Sequence, residues 1–142
     1  MPSYSEMLHV GPENIEEGTG RLFNARPAKD IGLISGKYLF DAADVLYSKI
    51  RPYLRKAALP EFAGICSADM YPLRPVNGSL SREFLYCYLL SEKFTTQAIG
   101  YQDRTGIPKL NRNQLNSLLV ALPPMDEQKF ISDALIGCDL SL

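Results

Sequence analysis

The stretch Asp44-Val-Leu-Tyr-Ser-Lys-Ile-Arg-Pro-Tyr-Leu-Arg-Lys56 begins as a strand and ends as a basic run. Alternation puts Val45, Tyr47 and Lys49 on one side and Leu46, Ser48 and Ile50 on the other. Pro52 ends the strand or confines it to a sheet edge. Lys49, Arg51, Arg55 and Lys56 come with no acid among them, and Tyr47 and Tyr53 are interleaved. Arginine bonds phosphate, or reads guanine with two hydrogen bonds. Tyrosine stacks or donates to phosphate. A solvated sheet edge guarded by lysine has the same composition. Composition therefore leaves a nucleic-acid surface and a solvated edge both open.

Short extended segments surround this stretch. Met7-Leu8-His9-Val10 reads as a strand ended by Gly11-Pro12, and Lys37-Tyr-Leu-Phe40 as another. Gly18-Thr-Gly20 and Ala25-Arg-Pro27 read as loops. Phe62 to Cys66 and Asp69 to Leu73 are extended, since Pro72 and Pro75 oppose a helix. These segments suit a meander in one curved sheet.

Helices follow. Ser81 is a good N-cap, with Glu83 in the first turn where the helix dipole favours an anion. Phe84, Leu85, Tyr88 and Leu89 share one face, as core residues do. A second helix runs from Lys93 to Ile99 and ends at Gly100. Asn111 to Gln114 resembles a capping box opening a short helix. Leu118 to Leu122 reads as a strand. Pro124 opens a last helix with Asp126 and Glu127 beside it. Phe130, Ile131, Ala134 and Leu135 give it an apolar stripe, and Gly137 would close it. The class is α+β: a twisted sheet of short strands with a few packed helices.

The 142 residues suffice for one domain around one core. No apolar run nears the ~20 residues of a membrane span, and the start lacks the pattern of a signal peptide. A cytoplasmic location is the default expectation. Cys66, Cys87 and Cys138 are widely spaced and His9 is the lone histidine, so neither a zinc site nor a disulfide framework is expected. There is no phosphate-binding glycine motif and no nucleophile elbow. The pairs Glu16-Glu17 and Asp126-Glu127 read as a solvated turn and a helix start. No catalytic residue is therefore assigned.

Net charge is −1, but it is unevenly spread. Residues 47–112 hold ten Lys/Arg against five Asp/Glu, while both flanks are acidic. A local positive field is what phosphate binding uses. Its second part is Gln102, Arg104, Thr105, Lys109, Arg112 and Asn113. Gln and Asn suit adenine, and Arg and Lys suit guanine or phosphate. Gly106 would admit a close phosphate, and amides at the helix start near Asn111 would face one. A polar surface loop has the same composition.

Taken in order, several segments resemble the target-recognition domain of type I restriction-modification specificity subunits. They are Asp44 to Lys56, Gly64-Ile-Cys-Ser-Ala-Asp69 with Leu73-Arg-Pro75, and Phe84-Leu-Tyr-Cys-Tyr-Leu-Leu90. Thr105-Gly-Ile-Pro-Lys-Leu-Asn111 and Leu122-Pro-Pro-Met-Asp-Glu-Gln128 complete the set. The resemblance implies a recognition domain over 1–122 and the start of a spacer helix over 123–142. It implies sequence-specific binding of double-stranded DNA in a restriction system. The partners it implies are a methyltransferase subunit, through it a restriction and motor subunit, and a second recognition domain or a homodimer partner. S-adenosylmethionine and ATP would belong to those subunits, so this chain needs no cofactor and catalyses nothing. Residues 49–56 would grip phosphates and 102–113 would read bases.

Against that family the usual opening strand is missing before Met7, and the chain stops just inside the spacer helix. The expectation is one recognition domain without its dimer-forming arms, as an expressed fragment or a truncated reading frame. A fragment acting as a protein-interaction module for methyltransferase or specificity subunits, through the 130–135 stripe, is the alternative.

Overall fold

A computed structural model describes residues 6–30, 37–75, 79–99 and 123–140. Among these residues seven short strands form two sheets. They are β1 (Leu8–Val10), β2 (Arg26–Pro27), β3 (Lys37–Phe40), β4 (Val45–Ser48), β5 (Ala57–Ala58), β6 (Gly64–Ser67) and β7 (Met70–Leu73). The first sheet has the order β2-β1-β6-β3 and the second β5-β4-β7. Among the described residues three helices accompany them: α1 (Arg82–Leu89), α2 (Glu92–Ile99) and α3 (Met125–Leu140). The α+β class read from the sequence is borne out.

The strand β4 organises the layers. All four of its residues are buried, so alternation here divides side chains between two cores and not between core and solvent. Val45 and Tyr47 join Leu85, Leu89 and Phe94 in a core under the helices. Leu46 joins Val10, Phe40, Cys66 and Met70 in a core between the sheets. The neighbouring strands do likewise: Ala57 and Tyr71 face the helices, Ala58 and Met70 the first sheet. The second sheet is thus a middle layer, covered on both faces.

A single curved meander is not what forms. The chain leaves the first sheet after Ser67 and enters the second at Met70, across a turn where the Ser67 hydroxyl accepts from the Asp69 amide (3.0 Å). Strand β6 instead lies between β1, to which it is parallel, and β3. Periodicity specifies that a segment is a strand; it does not specify its partner. Arg26-Pro27, read as loop, pairs with β1 as a two-residue edge strand. Proline is admissible there because an edge leaves one backbone side unpaired.

Helix α1 starts as its sequence predicts. The Ser81 hydroxyl accepts from the Phe84 amide (3.0 Å), and Phe84, Leu85 and Leu89 are buried with Tyr88 half-buried. Tyr86 is buried as well, its hydroxyl donating to the Thr19 carbonyl (2.7 Å). Gly137 does not close α3, which continues to Leu140. One interior glycine costs a helix only about 1 kcal/mol relative to alanine, too little to stop it without a cap or a proline. The helix start at Asn111 and the strand at Leu118 to Leu122 lie outside the described residues.

Tyr47 is 1% exposed and meets Phe94 edge to face, with ring centroids 5.5 Å apart. Burial pushes its phenol above the ordinary tyrosine range. Replacing Tyr47 with alanine should cost about 3–5 kcal/mol, the range for emptying an aromatic core site. Tyr53→Ala, at a half-exposed position, should stay within about 0.5 kcal/mol. Urea unfolding of the two variants distinguishes the roles of these tyrosines.

Candidate nucleic-acid interface

The basic run after β4 is a braced turn. Pro52–Leu54 form one turn of 3-10 helix between Arg51 (φ 51°, ψ 66°) and Arg55 (φ 51°, ψ 56°). Both arginines sit in the left-handed region, which costs an L-residue roughly 1–2 kcal/mol. Proline explains the turn between them: its ring fixes φ, and it lacks the N–H that a first helical position leaves unpaired. The Leu54 amide donates to the Arg51 carbonyl (2.9 Å) and the Arg55 amide to the Pro52 carbonyl (3.0 Å). Pro52 is buried, and the turn packs on α2.

A second loop supports it from outside. The Gly18 amide donates to the Arg55 carbonyl (3.1 Å). Glu16 holds that loop by accepting from the Thr19 hydroxyl (2.6 Å) and from Arg21 Nε (3.2 Å). Those bonds keep the Glu16 carboxyl below its ordinary range, the Thr19 bond contributing most. At Gly20, where φ is 72°, a Cβ would collide with the Tyr86 hydroxyl and the Ala57 carbonyl. The pair Glu16-Glu17 is thus part of a turn, with Glu16 engaged in its bracing.

Within this turn the candidate residues divide. Arg51 is exposed and Tyr53 is 49% exposed. Arg55 is half-buried. Among the described residues no carboxylate forms an ion pair with Arg51 or Arg55. The two lysines are folded back onto the protein. The Lys56 ammonium donates to the Pro12 carbonyl (2.8 Å), and the Lys49 ammonium lies over the Tyr71 ring, 5.2 Å from its centroid. Tyr47 belongs to the core.

Two other cations of the basic middle region are used internally. Arg74 bonds Asp44 (2.8 Å) and Asp41 (2.7 Å). The Ala43 amide, and after it Arg74, hold the Asp41 carboxyl below its usual range. Arg82 donates to the carbonyls of Asp44 (2.9 Å) and Pro60 (2.6 Å). Linear charge counting therefore overstates the free positive surface. A sequence shows the charge of an arginine but not the carbonyl or carboxylate that a distant segment brings to it.

Gln102, Arg104, Thr105, Lys109, Arg112 and Asn113 lie outside the described residues. The helix that leads to them is α2, on which the basic turn packs. Phe130 (76% exposed), Ile131, Ala134 and Leu135 all face outward on α3. Gln128, missed as a candidate, is fully buried at the start of that helix. Its place in the Leu122 to Gln128 signature was the available signal. Among the described residues no group of three His, Cys, Asp or Glu side chains could hold a metal ion. No helix among them is long and apolar enough to cross a membrane.

The sequence profile of the family described as "Type I restriction modification DNA specificity domain" matches residues 28–139. The chain is 38% identical over 125 residues to the Type I restriction enzyme EcoDI specificity subunit of Escherichia coli, a match covering 88% of this chain and 28% of that one. The crystal structure of the HsdS subunit from Thermoanaerobacter tengcongensis superposes with a TM-score of 0.80 at 23% identity, over 93% of this chain and 35% of that one. A chain from a study of complex assembly and conformational transition of the type I R-M system gives a TM-score of 0.78 at 23% identity, over 93% of this chain and 36% of that one. These two share the fold. The chain spans roughly a third or less of the length of each of these relatives. By its profile match and its identity to a specificity subunit, the chain belongs to the type I restriction-modification DNA specificity domain family.

Proposed function

We propose that the chain recognises a sequence in double-stranded DNA as the target-recognition part of a type I specificity subunit. Methylation of adenine and cleavage would be carried out by partner subunits, which would hold S-adenosylmethionine and ATP; this chain would do no chemistry. Its setting would be the cytoplasm.

The observation that carries this reading is the braced turn. A cation held in a left-handed conformation, beside an exposed tyrosine and without a carboxylate partner among the described residues, is ready to meet phosphate with little further ordering. Family membership supplies the ligand class. Arg51, Tyr53 and Arg55 are assigned to the DNA backbone. Lys49 and Lys56 keep their charges near the turn, and an ammonium has three donors, so one bond leaves Lys56 able to serve phosphate too. Gln102, Arg104, Thr105, Lys109, Arg112 and Asn113 are assigned to bases and adjoining phosphates, through the segment to which α2 leads. The outward stripe on α3 is assigned to a protein partner: the methyltransferase subunit, a second recognition domain, or a second copy.

Selection from a randomised duplex library, followed by anisotropy titrations across salt, tests the reading. Binding should weaken linearly on a logarithmic salt scale, and Arg51→Ala should flatten the slope by about one unit while leaving the selected sequence unchanged. Arg104→Ala should change which sequence is selected. Absence of salt-dependent duplex binding would overturn the proposal, and equal weakening on all sequences by both variants would overturn the division of roles.

Lys56→Ala should act twice. It should weaken binding to every duplex. It should also lower stability by about 1.5 kcal/mol, the low end for a charge-assisted hydrogen bond, through loss of the contact to Pro12. Arg51→Ala, which keeps the Cβ that a left-handed backbone crowds, should leave the urea midpoint unchanged. Denaturation curves beside the titrations check both statements.

A further inference from the structure

Helix α3 is mounted unusually. The residues it turns toward the body at four-residue spacing are Gln128, Ser132 and Ile136, while Phe130 and Leu135 face outward. Gln128 is 0% and Ser132 2% exposed. The helix thus buries two polar side chains against its own domain and shows its apolar stripe to solvent. Among the described side chains of the helix, the apolar one packed against the body is Ile136, at the edge of the core under the helices.

The Gln128 amide fastens the helix by hydrogen bonds. Its Oε1 accepts from the Ser81 amide (2.8 Å). Its Nε2 donates to the carbonyls of Ser79 (2.7 Å) and Pro123 (2.9 Å). One N–H on one side and two carbonyls on the other fix which way the amide points. The three partners belong to the approach to α1, to its cap, and to the residues before α3.

Ser81 is also the N-cap of α1, and its hydroxyl is already engaged by the Phe84 amide. In a capping box, the N-cap's own N–H is taken by Glu or Gln three residues on. Here that position is Phe84, which has no acceptor. Gln128 supplies it from another helix, 47 residues away. The cap of α1 is therefore complete only when α3 is docked.

We propose that Gln128 is a positioning residue. By completing the cap of α1 from α3, it fixes the angle between that helix, with its outward apolar stripe, and the body that carries the basic turn. For its purpose the inference rests on the reading above, in which the body meets DNA and the stripe meets a partner. The two surfaces then move as one unit because one buried amide joins them.

Hydrogen exchange on the full chain, corrected for intrinsic rates, tests the latch. In Gln128→Ala, amides of α3 should exchange at least about tenfold faster, while those of β4 and β6 keep their protection. Unchanged protection in α3 would overturn the proposal. Gln128→Glu supplies a second readout. Its protonated carboxyl keeps the acceptor and one donor; its carboxylate has no donor and faces two carbonyls. Burial and those carbonyls raise its folded pKa above the ordinary value, so docking should hold at low pH and fail as pH rises through that raised value. Glu83 on α1 and Asp126, Lys129 and Asp133 on α3 line the adjoining cleft. They are common to the wild type, whose pH profile is the baseline. A profile in Gln128→Glu no different from that baseline would also overturn the latch.

Ser132→Ala should leave α3 protected, since among the described residues its hydroxyl bonds within the helix, donating to the Lys129 carbonyl (3.2 Å). Duplex binding by Gln128→Ala should stay within about twofold of wild type. If the wild type bound no duplex, yet Gln128→Ala freed α3, the DNA reading would fall and the latch would stand.

Discussion

A strand with both faces buried constrains everything around it. Val45 and Tyr47 on one face of β4 need helices above them, and Leu46 on the other needs a second sheet below. Neither cover suffices alone, because an uncovered face would leave large apolar side chains in water at about 25 cal/mol for each Å². The layered arrangement of sheet, sheet and helices follows from that requirement. So does the location of the basic turn: the chain leaves the middle layer after Ser48, and the next residues emerge where that layer ends beside α2. The middle strand thus supplies the anchor, and the loop it releases supplies the exposed cations.

Bracing converts this location into a shape. The turn is fastened at its base by the Ser48 amide to the Lys56 carbonyl (2.9 Å) and the Lys49 amide to the Asp69 carbonyl (3.0 Å). The loop at Gly18 fastens its far end. Such over-determination is what lets non-glycine residues persist at positive φ. In α3 three hydrogen bonds at one buried amide, that of Gln128, tie the helix to the approach and cap of α1.

Local rules recovered what local chemistry decides. Ser81 was legible as a cap because its hydroxyl acts three residues away, and β4 because its alternation is complete within seven residues. The family was legible because several separate segments recur in one order. What escaped depends on distant partners. Nothing near Arg74 or Arg82 marks them as internal fasteners, since Asp41, Asp44 and Pro60 reach them only in the folded chain. Strand order escaped for the same reason: β6 joins β1 across more than fifty residues. Gln128 stood in the Leu122 to Gln128 signature with no role attached, and its partner across the fold lies 47 residues back. The basic turn was half legible. Its composition was plain, but Tyr47 belongs to the core and Lys49 and Lys56 fold back, so its exposed part is narrower than the run suggested.

The left-handed arginines carry a consequence for how such a sequence drifts. At φ 51° the backbone of residues 51 and 55 favours glycine or asparagine. Any pressure for thermal stability alone would push both positions that way, gaining at most the roughly 1–2 kcal/mol that a left-handed backbone costs an L-residue at each. The DNA-backbone role proposed for these two guanidiniums would oppose that drift. A lineage released from that pressure, through loss of its partners or of its need to bind, should lose these two side chains early, while β4 beneath them stays intact. On that proposal, positions 51 and 55 would record whether a copy is still in use.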